Sequence, residues 1–111
     1  MKAILCKEYG PAETLVIEDV PSPEVKGRGV KVRVKAAGLN FPDTLIIENK
    51  YQLKPSLPFS PGGEMAGEVI EVGDKVTRFK VGDRVAGLTG YGAFAEEVIV
   101  PEQNLLPVPD G

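Results

Sequence analysis

From Val30 onward apolar and cationic residues alternate without a break: Val30, Val32, Val34 and Ala36 against Lys31, Arg33 and Lys35. Successive side chains of a strand point to opposite faces. The period of two therefore predicts a strand with its valines on a core and its three cations in water. A solvated charged face accounts for all three cations, and no ligand is assigned to them. Shorter apolar runs predict strands over residues 2–6, 15–20, 68–72, 84–86 and 97–101, separated by turn chemistry such as Gly10-Pro11 and Pro21-Ser22-Pro23. Residues 41–49 read as the one helix, with Pro42 tolerated in its first turn, Asp43 suited to its positive end and Asn49 as its stop. Residues 52–63 read as irregular, because Pro55, Pro58 and Pro61 prevent a helix and remove ladder donors. The last six residues, Leu106-Pro107-Val108-Pro109-Asp110-Gly111, read as a boundary-like tail.

Two patterns invite more than they support. Val72-Gly73-Asp74-Lys75-Val76 is echoed by Val81-Gly82-Asp83-Arg84-Val85. Solenoid units run to about twenty residues or more, so the echo is read as two turns rather than a repeat. Gly90-Tyr91-Gly92-Ala93-Phe94-Ala95 fits the glycine spacing of a dinucleotide fingerprint. Such a fingerprint must follow a buried strand and open a helix within a βαβ unit. Here the strand-like run Glu97-Val98-Ile99-Val100-Pro101 follows instead, so no cofactor-binding residue is assigned in this chain.

Composition narrows the classes. A chain of 111 residues suits one domain, spanning 1–111, and is long enough to bury a core without a disulfide or a metal. With 13 glycines and 10 prolines it favours a turn-rich β architecture. The formal charge of −3, with no cluster of Lys or Arg, argues against nucleic acid or an anionic membrane as partner. The single cysteine, Cys6, forms no internal bridge and suits a reducing, cytoplasmic setting. No apolar run reaches the length of a membrane span.

The candidate chemistry gathers between Gly38 and Gly67. It opens with Gly38-Leu39-Asn40-Phe41-Pro42-Asp43, passes Tyr51, and closes with the glycine hinge Pro61-Gly62-Gly63-Glu64. Asn40 has two readings that do not exclude each other. As a helix cap its side chain would accept a backbone N–H, and as a site residue its amide would face a ligand. Tyr51 is either a hydrogen-bond donor in a site or a loop tyrosine packed on Pro55 or Leu53.

These motifs, with Val81-Gly82-Asp83-Arg84-Val85 and Gly92-Ala93-Phe94-Ala95-Glu96 following in order, resemble the substrate-side domain of the medium-chain dehydrogenase/reductase superfamily. The branch they resemble is that of the zinc-independent quinone oxidoreductases. Zinc-dependent members carry Gly-x-Cys-x-x-Asp and then Gly-His-Glu. Asn40 stands where that cysteine would be and Gly63 where the histidine would be. Zinc needs several thiolate or imidazole ligands, and this chain has one Cys and no His, so no metal is expected.

The resemblance implies a mainly β, GroES-like, partly open barrel with one or two short helices, in which the Gly92–Glu96 run is a strand entering the core. It implies that the parent protein is an NADPH-dependent oxidoreductase delivering hydride to a quinone, an enone or an enoyl thioester. NADPH would be held mainly by a Rossmann domain absent from this chain, so the chain alone is expected to be inactive. Asn40 and Tyr51 are then the catalytic donors, with Phe41, Asp43, Gly63 and Glu64 as pocket or frame residues. Glu64 would hydrogen-bond or pair with an Arg or Lys. The expected partner is a small-molecule quinone or α,β-unsaturated carbonyl, and a homo-oligomer stays open. The competing class is a stand-alone GroES-like binding or assembly module without catalysis.

Overall fold

A computed structural model describes residues 1–109 of the chain. Seven strands form two sheets: β1 (Lys2–Leu5), β2 (Val16–Asp19), β3 (Gly29–Gly38), β4 (Glu64–Val72), β5 (Arg84–Leu88), β6 (Glu97–Pro101) and β7 (Leu105–Pro107). One short helix, α1 (Phe41–Ile46), joins β3 to the long loop before β4, and 3₁₀ turns cover Ala12–Thr14 and Glu102–Asn104. The larger sheet is antiparallel in the order β6-β3-β4-β5-β7, and the smaller pairs β1 with β2. The sheets are not closed into a barrel. They are stitched together where Ala3 bridges Ala95, and the Ile4 N–H reaches the Phe94 carbonyl at 2.8 Å.

The valine alternation does what its period requires. Val30 and Val32 are fully buried, and with Met65, Val69, Phe79, Val85, Ala93, Val98, Val100 and Leu105 they make the main core. Burying each such side chain is worth about 1.5–3 kcal/mol, so a short strand of valines anchors the sheet. The cations behave less uniformly. Arg33 and Lys35 are exposed, but Lys31 is buried, correcting the expectation that all three face water. Its Nζ donates to Ser22 Oγ at 3.0 Å and stands 3.2 Å from Glu71 Oε1. The chain before β3, carrying Ser22, covers that part of the outer face, and the ammonium finds two oxygens there. Register shifts between β3 and β4 leave Ile70 and Lys35 outside the ladder, and such bulges bend a sheet.

Three other expectations change. The helix ends at Ile46, three residues before Asn49. Lys50 N–H returns to the Leu45 carbonyl at 2.9 Å and Asn49 takes φ 61°, so Asn49 does stop the element, from outside it. The run from Gly92 to Glu96 is a loop with one isolated bridge, and the strand begins only at Glu97. The chain end is no free tail as far as it is described. Leu105–Pro107 forms edge strand β7 on β5, with Leu105 in the core, while Asp110 and Gly111 lie outside the described residues.

A second, smaller cluster positions the site. Cys6, Ile46, Ile47 and Phe59 are buried together, with Leu15 and Tyr51 packed against them. It ties the end of α1 to β1 and to the proline loop, where Cys6 and Phe59 exchange backbone hydrogen bonds of 2.7 and 3.1 Å. Burial raises the Cys6 thiol above its ordinary pKa, and the Glu8 carboxylate acts in the same direction.

Candidate functional site

Between the start of α1, the loop after it and the ends of β4 and β5 lies a cleft of about 440 Å³. Asn40, Asp43, Tyr51, Gly63 and Glu64 all line it, beside the more apolar Pro42, Leu53 and Leu88. Five of the six residues singled out in the sequence are thus brought together. Phe41 is not among the lining. It turns outward with 73% of its surface exposed, next to the equally exposed Leu39.

The start of α1 explains the placement of Asn40 and Asp43. Asn40 is extended, at φ −126° and ψ 164°, and forms a capping-box arrangement with Asp43. The Asp43 limb is well made, with Oδ2 accepting the Asn40 N–H at 2.9 Å. The opposite limb, from the Asp43 N–H to the Asn40 side chain, is present but looser than a full cap hydrogen bond. That N–H also reaches the Asn40 carbonyl at 3.0 Å. Buried Asp43 holds the helix start, and Asn40 is exposed where it lines the cleft.

On the facing wall Glu64 opens β4, paired in register with Gly38 on one side and Leu88 on the other. Its side chain lies across Gly38, where a Cβ would stand 2.9 Å from the Glu64 Cδ, so only glycine leaves that carboxylate its place. No Lys or Arg pairs with Glu64 among the described residues. A Cβ on Gly63 would stand 3.8 Å from Asp43 Oδ1, so a side chain at 63 would approach the Asp43 carboxylate. Tyr51 lines the cleft and packs against the Cys6–Phe59 cluster.

The polar groups of the cleft are the Asn40 amide, the Tyr51 hydroxyl and the carboxylates of Asp43 and Glu64. Asn40 offers an amide, Gly63 no side chain, and the one thiol, Cys6, is buried in the second cluster. No group of three or more His, Cys, Asp or Glu side chains able to hold a metal ion is found among the described residues. Gln52, Leu53, Leu88 and Gly90 were not picked out by sequence reasoning as cleft residues. The alternation ending β5 could have signalled Leu88, an apolar residue 66% exposed at a strand end.

Residues 26–110 match the alcohol dehydrogenase GroES-like domain. The chain belongs to that family. A quinone oxidoreductase of Pseudomonas aeruginosa is 47% identical to this GroES-like domain over 111 residues, 99% of this chain and 34% of that protein. The crystal structure of Pseudomonas syringae quinone oxidoreductase superposes with a TM-score of 0.93 at 44% identity, covering 98% of this chain and 34% of the other. The Escherichia coli quinone oxidoreductase complexed with NADPH gives 0.92 at 31% identity, covering 98% and 33%. The domain spans about a third of the length of the curated relatives it matches. No helix among its described residues is long and apolar enough to cross a membrane.

Proposed function

We propose that this domain is the substrate-side part of an NADPH-dependent oxidoreductase that reduces quinones and other conjugated carbonyls without zinc, in the cytoplasm. One observation carries it: two uncharged donors, Asn40 and Tyr51, line one cleft with the apolar Leu53 and Leu88. A flat conjugated carbonyl needs apolar walls for its carbon frame and a donor at its oxygen. When bound, NADPH supplies the hydride, and the GroES-like domain supplies the surroundings of the acceptor. Negative charge grows on the acceptor oxygen as reduction proceeds, and oriented donors stabilise it more than they stabilise the neutral carbonyl. The Tyr51 hydroxyl and the Asn40 amide fill that role. Asp43 keeps the Asn40 backbone fixed.

The full-length oxidoreductase carrying this domain tests the reading. Acceptor-dependent oxidation of NADPH is expected with a small quinone and with an enone, and it survives exhaustive chelation. No turnover with either acceptor, or activity lost on chelation and restored by zinc, would overturn it.

A further inference from the structure

The peptide joining Gly62 to Gly63 is held from one side only. Its carbonyl, on Gly62, accepts the Thr89 hydroxyl at 2.7 Å and the Ala93 N–H at 3.1 Å. The next carbonyl, on Gly63, accepts the Thr89 N–H at 2.8 Å. Thr89 therefore clamps two consecutive peptides through one hydroxyl and one amide. The Gly62–Gly63 bond is trans, the one cis bond among the described residues being Leu57–Pro58. In a trans peptide the N–H points opposite to the C=O, so the Gly63 N–H is turned away from Thr89.

That N–H has no acceptor among the described residues, although Gly63 is half-buried and backbone donors away from water are nearly always paired. The Gly62 N–H likewise has none, but Gly62 is buried behind the cleft and forms no part of its lining. Gly63 does line it. The Asp43 carboxylate lies on the side where a Cβ of residue 63 would be and takes no hydrogen bond from this N–H. Lacking a side chain, Gly63 lets a ligand come within hydrogen-bond distance of its backbone.

We propose that the Gly63 N–H donates a hydrogen bond to the oxygen of the bound acceptor, and that Thr89 is the positioning residue that aims it. The proposal rests on the carbonyl-reductase reading of the cleft and adds a fixed backbone donor to its two side-chain donors. The N–H keeps its proton throughout. It stabilises the oxygen while the electron pair displaced by hydride resides there. Rigidity is the advantage, because a clamped peptide needs no reorganisation as charge develops.

Two measurements test it. In the full-length enzyme, Thr89→Val removes the clamp hydroxyl at nearly constant shape. It should lower kcat about tenfold, a fraction of the roughly hundredfold typical for losing a whole oxyanion donor, with KM nearly unchanged. Thr89→Ser should restore kcat. A kcat for Thr89→Val equal to wild type, in an enzyme where Tyr51→Phe is impaired, overturns the proposal and leaves the functional reading intact. The second measurement needs no catalysis and no variant. In the 15N-labelled 111-residue chain, 4-nitrophenolate, a stable phenolate, should move the Gly63 amide proton downfield more than any other backbone amide. A Gly63 resonance unmoved across the titration overturns the proposal whatever the enzyme reduces.

Discussion

Asp43 closes the first turn of α1 by accepting the Asn40 backbone N–H at 2.9 Å, from a side chain that is itself buried. Substituting Asp43 by Ala leaves that N–H and the space of the carboxylate unfilled. A lost cap together with an unpaired polar group costs about 1–2 kcal/mol. In a domain of this size that lowers the melting midpoint by roughly 4–8 °C. Asp43→Asn keeps an acceptor and should lose less. Equal midpoints for wild type and Asp43→Ala would mean that the helix start is held by packing alone.

Lys31 and Glu71 face each other across β3 and β4, yet the two ends differ: 11% of the lysine side chain is exposed and 55% of the glutamate. The glutamate stays largely hydrated, so losing the pair strands no buried charge. Lys31→Met should therefore cost less than about 1 kcal/mol, as for other partly exposed pairs. Lys31→Glu should cost more than about 2 kcal/mol, since it brings like charges together at a covered site. Urea midpoints of the two variants check this. A loss of about 3 kcal/mol or more for Lys31→Met would class the pair as a buried ion pair.

Cys6 links stability to pH. Its thiol titrates higher in the fold than its ordinary 9.0, chiefly because burial disfavours the thiolate. Between the unfolded and folded values the folded state binds more protons, so the slope of stability against pH is negative. The contribution is intact below pH 9.0 and is lost as pH rises through the folded value. The difference between wild type and Cys6→Ala, in which other titrating groups cancel, should be flat at neutral pH and fall above that point. A difference that stays flat through the alkaline range would contradict the burial account. The native thiol should also react with a disulfide reagent only at the rate of opening.

How much of this was legible before the fold was known depends on whether the signal was local. The valines of β3 reached the core because period two is a property of the strand itself. Asn40, Asp43, Gly63 and Glu64 were grouped by the resemblance of their motifs to the superfamily frame, on a stretch that glycine and proline mark out, and all four line the cleft. Lys31 was misjudged because its cover comes from Ser22, nine residues away, and alternation along one strand carries no trace of that. Leu105–Pro107 was hidden by its prolines, which an edge strand tolerates and a central one does not. The Gly63 N–H was out of reach altogether. Its direction is fixed by Thr89, 26 positions later in the chain, and no residue pattern encodes the missing acceptor.

Tyr51 and Asn40 give the sharpest test of catalysis in the full-length enzyme. If both donate to the developing oxyanion, losing either should lower kcat more than it raises KM. Tyr51→Phe deletes only the hydroxyl and keeps the ring that packs on the Cys6–Phe59 cluster, so its melting midpoint should barely move. Its kcat should fall about a hundredfold, less where water replaces the donor. Asn40→Ala is cleaner than its place before a helix suggests. The tighter limb of the capping box uses the Asn40 backbone N–H, which alanine retains. Its stability cost should therefore stay below the roughly 1 kcal/mol usual for a lost side-chain cap, and a fall in kcat reports on the amide. Steady-state rates with a small quinone and with an enone, measured beside thermal midpoints, separate the two effects. Unchanged kcat for Tyr51→Phe with both acceptors would confine Tyr51 to packing between α1 and the proline loop.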